Sequence, residues 1–198
     1  AETTAPMVWN GEIVKKDAAW YATPEARAVA DNVLLYQSAE GGWPKNLSLA
    51  VPPSGPIDAG STNTIDNQAT TLPMAYLARV ITAGTGDVAA WRAAFERGFD
   101  YLLAAQYPNG GWPQFYPLRG GYYDHVTFND DAMIRVLTLL REVAGGRPPY
   151  AFVDAERRAR AGEAVAKGTA VILATQLRRE GRLAVWCAQY DERTLAHA

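Results

Sequence analysis

Three similar segments recur along this chain at nearly constant spacing, and this repetition limits the folds that it can adopt. They are Val33–Pro44, Tyr101–Pro113 and, with weaker similarity, Val171–Arg182 followed by Trp186. Each carries a glutamine after an apolar run, and the glutamines stand at positions 37, 106 and 176, which are 69 and 70 residues apart. Self-similarity at a fixed period is typical of stacked or ring-closed structural units.

A second, shorter repeat lies between the members of the first. Thr64–Thr70 matches Thr127–Met133 at an offset of 63 residues, and both follow a stretch rich in glycine and proline. An apolar run with helical periodicity follows each of them. Each unit therefore reads as a helix, a long loop and a second helix.

The apolar periodicity predicts five amphipathic helices. Pro73 falls inside the second and should kink it or delay its start, because proline lacks a backbone donor. No long alternating strand pattern is present, so we expect a mainly helical protein, a ring of helical hairpins. Five is an odd number for hairpins, and we expect residues 1–198 to be a single catalytic domain without its last helix. The predicted helices cover about 20–39, 66–83, 87–106, 129–144 and 153–178.

Composition excludes several classes of function. The 198 residues carry a formal net charge of −2, without the basic excess typical of proteins that bind nucleic acid. A single cysteine, Cys187, excludes an intramolecular disulfide and a multi-cysteine metal site. No apolar run is long enough to span a membrane, and we expect a signal peptide to be absent or already removed.

The two long loops, 41–63 and 108–126, each begin with Gly-Gly-Trp-Pro. Glycine followed by proline is the ordinary end of a helix. The tryptophans, Trp43 and Trp112, have two interpretations that the sequence leaves open. They pack beneath the loops, or they form a flat platform for a sugar or cofactor.

Both loops end in a group of carboxylate and amide side chains, contributed by Asp66, Asn67, Asn129, Asp130 and Asp131. One interpretation is helix capping by Thr64, Asp66, Thr127 or Asn129. A cap needs only one such residue, however, and clustered carboxylate and amide oxygens are the ligands that calcium prefers. The alternative is therefore a Ca2+ site at which the two helix starts converge.

Several motifs together resemble the pectate lyases of polysaccharide lyase family 10. The resemblance runs from about residue 27 to the last residue, in the family's order. It implies an (α/α)3 toroid with long loops at one end, secreted by a microbe into the extracellular medium or periplasm. It also implies calcium-assisted β-elimination of α-1,4-polygalacturonate (pectate) to 4,5-unsaturated products. The motifs lie at 41–46, 64–70, 110–117, 125–133 and 185–191.

The same resemblance assigns roles to particular residues. Asp66 and Asn67 match the family's pair near the metal and the scissile sugar, and Asp130 matches its calcium carboxylate, with Asn129 and Asp131 adjacent. The family's base is an arginine in the helix after the Trp-Cys-Ala-Gln segment. It is therefore expected beyond Ala198, on the remaining C-terminal segment of the same domain, and the 198-residue chain alone is expected to be inactive.

Charge and position in the loops suggest further contacts with the substrate. Lys45 and Arg119 are candidate partners for uronate carboxylates, and His125 could orient a loop or touch a ligand. Tyr190 stands where the family has a histidine.

Two alternatives to a pectate lyase remain. The Gln-x3-Gly-x-Trp pattern at 37–43 and 106–112 resembles the structural repeats of terpene-cyclase-like helical toroids. A module that binds polygalacturonate through the same groove, without a base, is the non-enzymatic alternative.

Overall fold

The structure is a computed structural model, and it describes residues 7–198. Helices make up 52% of the described residues, which confirms the mainly helical class. Within the described residues, strands are limited to four pairs of residues, Val126–Thr127 (β1), Arg178–Arg179 (β2), Arg182–Leu183 (β3) and Gln189–Tyr190 (β4). The α-helices are Pro24–Leu35 (α1), Thr71–Ala83 (α2), Val88–Ala105 (α3), Ala132–Gly145 (α4) and Ala155–Thr175 (α5).

All five predicted helices are present, with later starts than expected for α1, α2 and α4. The α1 helix begins at Pro24, where Thr23 accepts a hydrogen bond from the Ala26 amide as an N-cap. In α2, Pro73 lies in the first turn, where its missing N–H costs no helical hydrogen bond. The prediction that Pro73 delays the start of this helix is therefore confirmed.

The helices pack in two sets, with α1, α3 and α5 in one and α2 and α4 in the other. The α2 helix contacts α1, α3 and α4, and α4 contacts α5 most extensively. Side chains tie α1 to α3 and α3 to α5, because the Gln37 amide donates to the Ala94 carbonyl and the Gln106 amide to the Ala164 carbonyl, at 2.8 and 2.9 Å. The helices that begin each unit are thus linked in chain order, and α2 and α4 lie against them.

The hydrogen bonds of the three repeated segments correspond. Each glutamine amide also donates to a carbonyl two residues before the tryptophan, at Gly41, Gly110 and Ala184. Each tryptophan indole donates 2.8 Å to the carbonyl four residues before the glutamine, at Val33, Leu102 and Ile172. The third unit makes the same two bonds. Its segment between glutamine and tryptophan is longer, because it contains the antiparallel β2–β3 hairpin. The weak third repeat in the sequence is therefore a real structural repeat.

Two glycines 70 residues apart allow the buried tryptophans to pack against the helices of the next unit. A Cβ added to Gly98 in α3 would lie 2.7 Å from the Trp43 ring. A Cβ added to Gly168 in α5 would lie 3.0 Å from the Trp112 ring. Among residues 7–198, no helix is both long and apolar enough to cross a membrane.

Candidate active site

The two matching polar motifs form equivalent turns that contact each other. Asp66–Gln68 and Asn129–Asp131 are single 3-10 turns that contact each other, the first shortly before α2 and the second directly before α4. Their second residues, Asn67 and Asp130, have φ angles of 48° and 54°. This left-handed conformation is tolerated by asparagine and aspartate better than by most residues. The left-handed residues keep both polar motifs out of the helices that follow, and the two copies lie together at one end of the molecule.

The prediction that these residues cap the helices is wrong. Neither α2 nor α4 receives a side-chain hydrogen bond at its N-cap. Thr64 instead accepts from the Asp66 amide at 3.1 Å and donates to the Gln114 carbonyl at 2.6 Å. Thr127 donates to the His125 carbonyl at 2.9 Å. These threonines therefore fix the loops, and they leave the carboxylates for other contacts.

Asp66 is a buried carboxylate that is held by one oxygen only. Its side chain is 6% exposed, and Oδ2 accepts from Lys45 Nζ at 2.6 Å and from Gln114 Nε2 at 2.8 Å. The other oxygen, Oδ1, is buried and has no hydrogen-bond partner among the described residues. Leaving a buried charged oxygen without a partner costs free energy, so Asp66 Oδ1 is a strong candidate for contact with a ligand.

The two donors to Asp66 occupy the same place in the repeat. Lys45 lies two residues after Trp43, and Gln114 lies two residues after Trp112. The residues after the tryptophans thus converge on one carboxylate oxygen. Sequence reasoning missed Gln114, although the register of the tryptophan repeat would have paired it with Lys45.

The ring of Phe115 lies beneath the cations of the site. Lys45 Nζ is 5.3 Å from the ring centroid, and the Arg119 guanidinium carbon is 3.8 Å from it. The face of an aromatic ring attracts cations within about 6 Å. Phe115 is also fully buried and forms a bridge with Thr64, and it therefore joins the second loop to the motif that carries Asp66.

Arg119 clamps the two loops together. Its guanidinium donates to three carbonyls of the first loop, those of Ala59, Gly60 and Thr62, at 2.7–2.9 Å. Its own amide donates to Asp124 Oδ1 at 2.9 Å. Three guanidinium hydrogen bonds are thus committed to the protein, and contact between Arg119 and a uronate stays a prediction.

The second turn carries exposed oxygens. Asp130 Oδ2 accepts from Asn129 Nδ2 at 3.0 Å, and Asp131 Oδ2 lies 3.5 Å from Arg135 Nη2. In the first turn, Asn67 is exposed and donates to Asn46 Oδ1 at 3.0 Å. Asn46 was another residue that sequence reasoning missed.

Within residues 7–198, no group of three or more His, Cys, Asp or Glu side chains stands close enough to hold a metal ion by itself. The donor set of the two turns nevertheless suits a hard cation, since it consists of carboxylate and amide oxygens. The buried, unpartnered Asp66 Oδ1 fits such a cation as well. The site can therefore contribute some oxygens to calcium but not a complete set of carboxylates.

The prediction that Trp43 and Trp112 form a sugar platform is wrong. Both side chains are 0% exposed, and both indoles bond to backbone carbonyls within the core. The other interpretation, packing beneath the loops, is confirmed.

His125 joins the second loop to the C-terminal part of the chain. Its Nδ1 lies 3.1 Å from Glu192 Oε2, and Asn109 Nδ2 donates to the Glu192 carbonyl at 2.8 Å. The neighbouring β1 strand pairs antiparallel with β4, Val126 opposite Tyr190. These contacts fit the expectation that His125 orients a loop, and contact with a ligand stays a prediction.

Comparison with known proteins identifies the family. The family model described as pectic acid lyase matches residues 37–198. Two solved structures are similar to the chain over 96% of its length, with a TM-score of 0.76. One is the family 10 polysaccharide lyase from Cellvibrio cellulosa, at 37% sequence identity. The other, at 38% identity, is an aspartate-to-alanine mutant of a family 10 polysaccharide lyase from the same organism in complex with trigalacturonic acid.

The chain spans 59% of the length of each of these two structures. No curated protein matches it significantly. The matched residues, 37–198, contain both loops, both polar turns and the glutamine and tryptophan of all three repeats. This chain belongs to the pectic acid lyase family.

Proposed function

We propose that this chain forms part of a pectate lyase, which cleaves α-1,4-polygalacturonate by calcium-assisted β-elimination. Asp66 carries the proposal, because it is a buried carboxylate with one oxygen fixed by Lys45 and the other without a partner. Membership of the pectic acid lyase family supports the reaction class. The trigalacturonic acid bound by one similar protein supports the substrate.

The elimination removes the C5 proton of a galacturonate, breaks the C4–O bond and forms a C4–C5 double bond in the new non-reducing end. The proton at C5 is acidic only when the charge of the adjacent carboxylate is offset. Calcium, when bound, would supply this offset as a Lewis acid. On the protein side, Lys45 and Gln114 hold Asp66 in a single orientation, and Asn67 and Asp130 present further oxygens from the two touching turns.

Calcium would be held by Asp66 and Asp130, with Asn67, Asn129 and Asp131 beside them. Because the described residues hold no complete carboxylate cluster, we propose that the uronate supplies the remaining oxygens. Metal and substrate then bind together, and calcium alone binds weakly.

The relatives are longer than this chain, and the resemblance places their arginine base in the part that it does not span. We propose that the proton acceptor comes from that part, together with the helix that closes an (α/α)3 toroid. The pairing of α1 with α2 and the linkage of α1, α3 and α5 by Gln37 and Gln106 support such a ring. Because polygalacturonate is a polymer outside cells, we propose that the enzyme is secreted.

The terpene-cyclase-like alternative is not supported. Its glutamine and tryptophan repeats do act as structural ties in this chain, but the family match is to pectic acid lyase. The pectate-binding module without a base remains a distinct outcome of the test below.

The test is an assay of polygalacturonate cleavage by the whole protein, followed by the ultraviolet absorbance of the unsaturated product. We expect product with calcium, its loss on chelation, and a rate about a hundredfold or more lower in Asp66→Asn. Asp58→Asn is the matched control, because Asp58 is an exposed carboxylate of the first loop that holds only the Gly60 amide. Wild-type rates in Asp66→Asn would contradict the role of Asp66. Binding of polygalacturonate without product would identify a binding module.

A further inference from the structure

A cavity adjoins the Asp66 site, on the side where the N-terminal segment crosses the first turn. It measures about 300 Å3, and its lining includes Trp9, Asn10, Lys45, Asn46 and Asn67. This is at the lower end of small-molecule pockets, about 300–1,000 Å3. The cavity therefore has room for a single sugar ring rather than for an oligosaccharide.

The walls of this cavity have the chemistry of a carbohydrate site. Trp9 is half-buried, lines the cavity and packs against the core, where its ring meets that of Tyr76 edge-on at 5.7 Å between ring centroids. Asn10 and Asn46 are exposed and carry amides. Flat apolar rings pack against the C–H face of a sugar, and amides bond to its hydroxyls.

Two of the lining residues belong also to the candidate active site. Lys45 donates to Asp66, and Asn67 follows Asp66 in the first turn and bonds to Asn46. A ligand in this cavity would therefore be the immediate neighbour of a sugar held at Asp66. The charge of Lys45 is offset by its pairing with Asp66, so the cavity offers a sugar an aromatic ring and amides rather than a free cation.

Trp9 and Asn10 lie outside the residues that match the pectic acid lyase family, which begin at 37. The 3-10 turns at Gly11–Val14 and Ala18–Ala22 both pack on α2 and hold this segment in place. One side of the cavity is thus formed by a segment that the family motifs do not include.

We propose that the cavity between Trp9, Asn46 and Asn67 is a separate subsite, which binds a galacturonate residue beyond the scissile bond. The inference rests on the proposed function, since it takes polygalacturonate as the substrate. It adds a specificity element that acts on longer oligomers, because only these reach past the Asp66 site into the cavity.

The test measures by calorimetry how tightly the whole protein binds galacturonate oligomers, from the dimer up to the hexamer. Product formation is monitored in parallel, so that binding is measured before turnover. Trp9→Ala should weaken hexamer binding about three- to tenfold and leave dimer binding unchanged. Trp9→Phe should retain most of the affinity, because it keeps an aromatic face. Trp20→Ala is the matched control, since Trp20 packs on the same Tyr76, at 6.4 Å, but does not line the cavity.

A second variant tests the site without removing a packed ring. Asn10 accepts a hydrogen bond from the Glu12 amide as an N-cap, and aspartate keeps this cap. Asn10→Asp should weaken hexamer binding through repulsion of the uronate, and high salt should reverse this loss.

The outcomes separate the two proposals. Hexamer binding by the wild type that is unchanged in both Trp9→Ala and Asn10→Asp overturns the subsite and leaves the proposed function standing. Equal weakening of dimer and hexamer by Trp9→Ala also overturns it, because Trp9 would then act on the main site. Absence of any oligogalacturonate binding by the wild type overturns the proposed function and the subsite with it.

Discussion

At the scale of single residues, the charge of Asp66 is balanced by a small number of partners. A carboxylate that is 6% exposed depends on its partners, and here they are one cation, Lys45, and one amide, Gln114. A hydrogen bond to a charged group contributes more than one between neutral groups, and its loss leaves a buried charge unpaired. The pair therefore affects stability as well as the orientation of the carboxylate.

Lys45→Met should lower the free energy of unfolding by about 1–3 kcal/mol, measured by urea denaturation. The double variant Lys45→Met, Asp66→Asn should recover most of the loss, because no buried charge remains. Lys15→Met is a stringent control. Lys15 pairs with Glu12 at the same 2.6 Å, but the two side chains are 67% and 73% exposed.

The control should change stability by about 0.5 kcal/mol or less, as exposed pairs usually do. Equal losses in Lys45→Met and Lys15→Met would contradict the account of Asp66 as a buried, dependent charge.

The sequence predicts the roles of some residues in the site and not those of others. The polar turns were found because their residue types recur in equivalent positions, whereas Trp43 and Trp112 were left open between core and surface because tryptophan suits both. The contacts of Asp66 with Lys45 and Gln114 required two loops far apart in sequence to meet. No local pattern gives this information, and only the register of the repeat hinted at it.

At the scale of elements, the units fit together through small residues at fixed points. Gly98 in α3 and Gly168 in α5 stand where the tryptophan of the preceding loop meets the helix. Glycine lowers helix stability, so its use inside two helices has to be offset by packing. Close approach of the Trp43 and Trp112 rings provides this offset.

Gly98→Ala should destabilise the protein by about 1–3 kcal/mol, because its Cβ would lie 2.7 Å from the Trp43 ring and 3.0 Å from Met74 Sδ. Gly162→Ala in α5 is the matched control. Its Cβ would lie 3.9 Å from the Ala144 Cβ, an ordinary contact, and the higher helix propensity of alanine should stabilise the protein by up to about 1 kcal/mol. Thermal unfolding of both variants distinguishes them, and stabilisation by Gly98→Ala would contradict the packing account.

The N-terminus of α5 gives this helix a dependence on pH. The Arg157 amide and guanidinium both donate to Asp154, the N-cap, and these bonds hold the pKa of the Asp154 carboxyl below its ordinary value. The folded state thus binds this proton less readily than the unfolded state. The stability contributed by Asp154 is fully present above the unfolded pKa and is lost as the pH falls from there through the lower pKa of the folded state.

Asp154→Asn should keep the cap and remove this dependence. Urea midpoints measured from pH 7 to about pH 3, below the ordinary carboxyl pKa, should fall less steeply in Asp154→Asn than in the wild type. Parallel curves for the two proteins would show that Asp154 does not contribute to acid sensitivity.

The helices were predicted to within a few residues because apolar periodicity marks them directly. The starts of α2 and α4 were placed too early. The polar turn before each has two successive residues with positive φ, namely Asn67 with Gln68 and Asp130 with Asp131. These conformations interrupt the helix, but the composition of the turns is compatible with a helix start.

At the scale of the whole molecule, the same hydrogen bonds recur in three units and set the two polar turns side by side. The hydrogen bonds from Gln37 to α3 and from Gln106 to α5 fix the order of α1, α3 and α5. The contact between α2 and α4 brings Asp66–Gln68 and Asn129–Asp131 to one end. The repeat thus places two copies of an oxygen-rich turn at a single site, and the proposed joint binding of calcium and uronate depends on both.

Calorimetric titration of trigalacturonate, with and without calcium, tests this joint site most directly. We expect calcium to tighten trigalacturonate binding in the wild type, and trigalacturonate to tighten calcium binding by the same factor. Asp130→Asn should remove this coupling, whereas Asp100→Asn, which alters an exposed carboxylate of α3 with a side chain 53% exposed, should preserve it. Trigalacturonate affinity that calcium leaves unchanged, or full coupling in Asp130→Asn, would contradict the account.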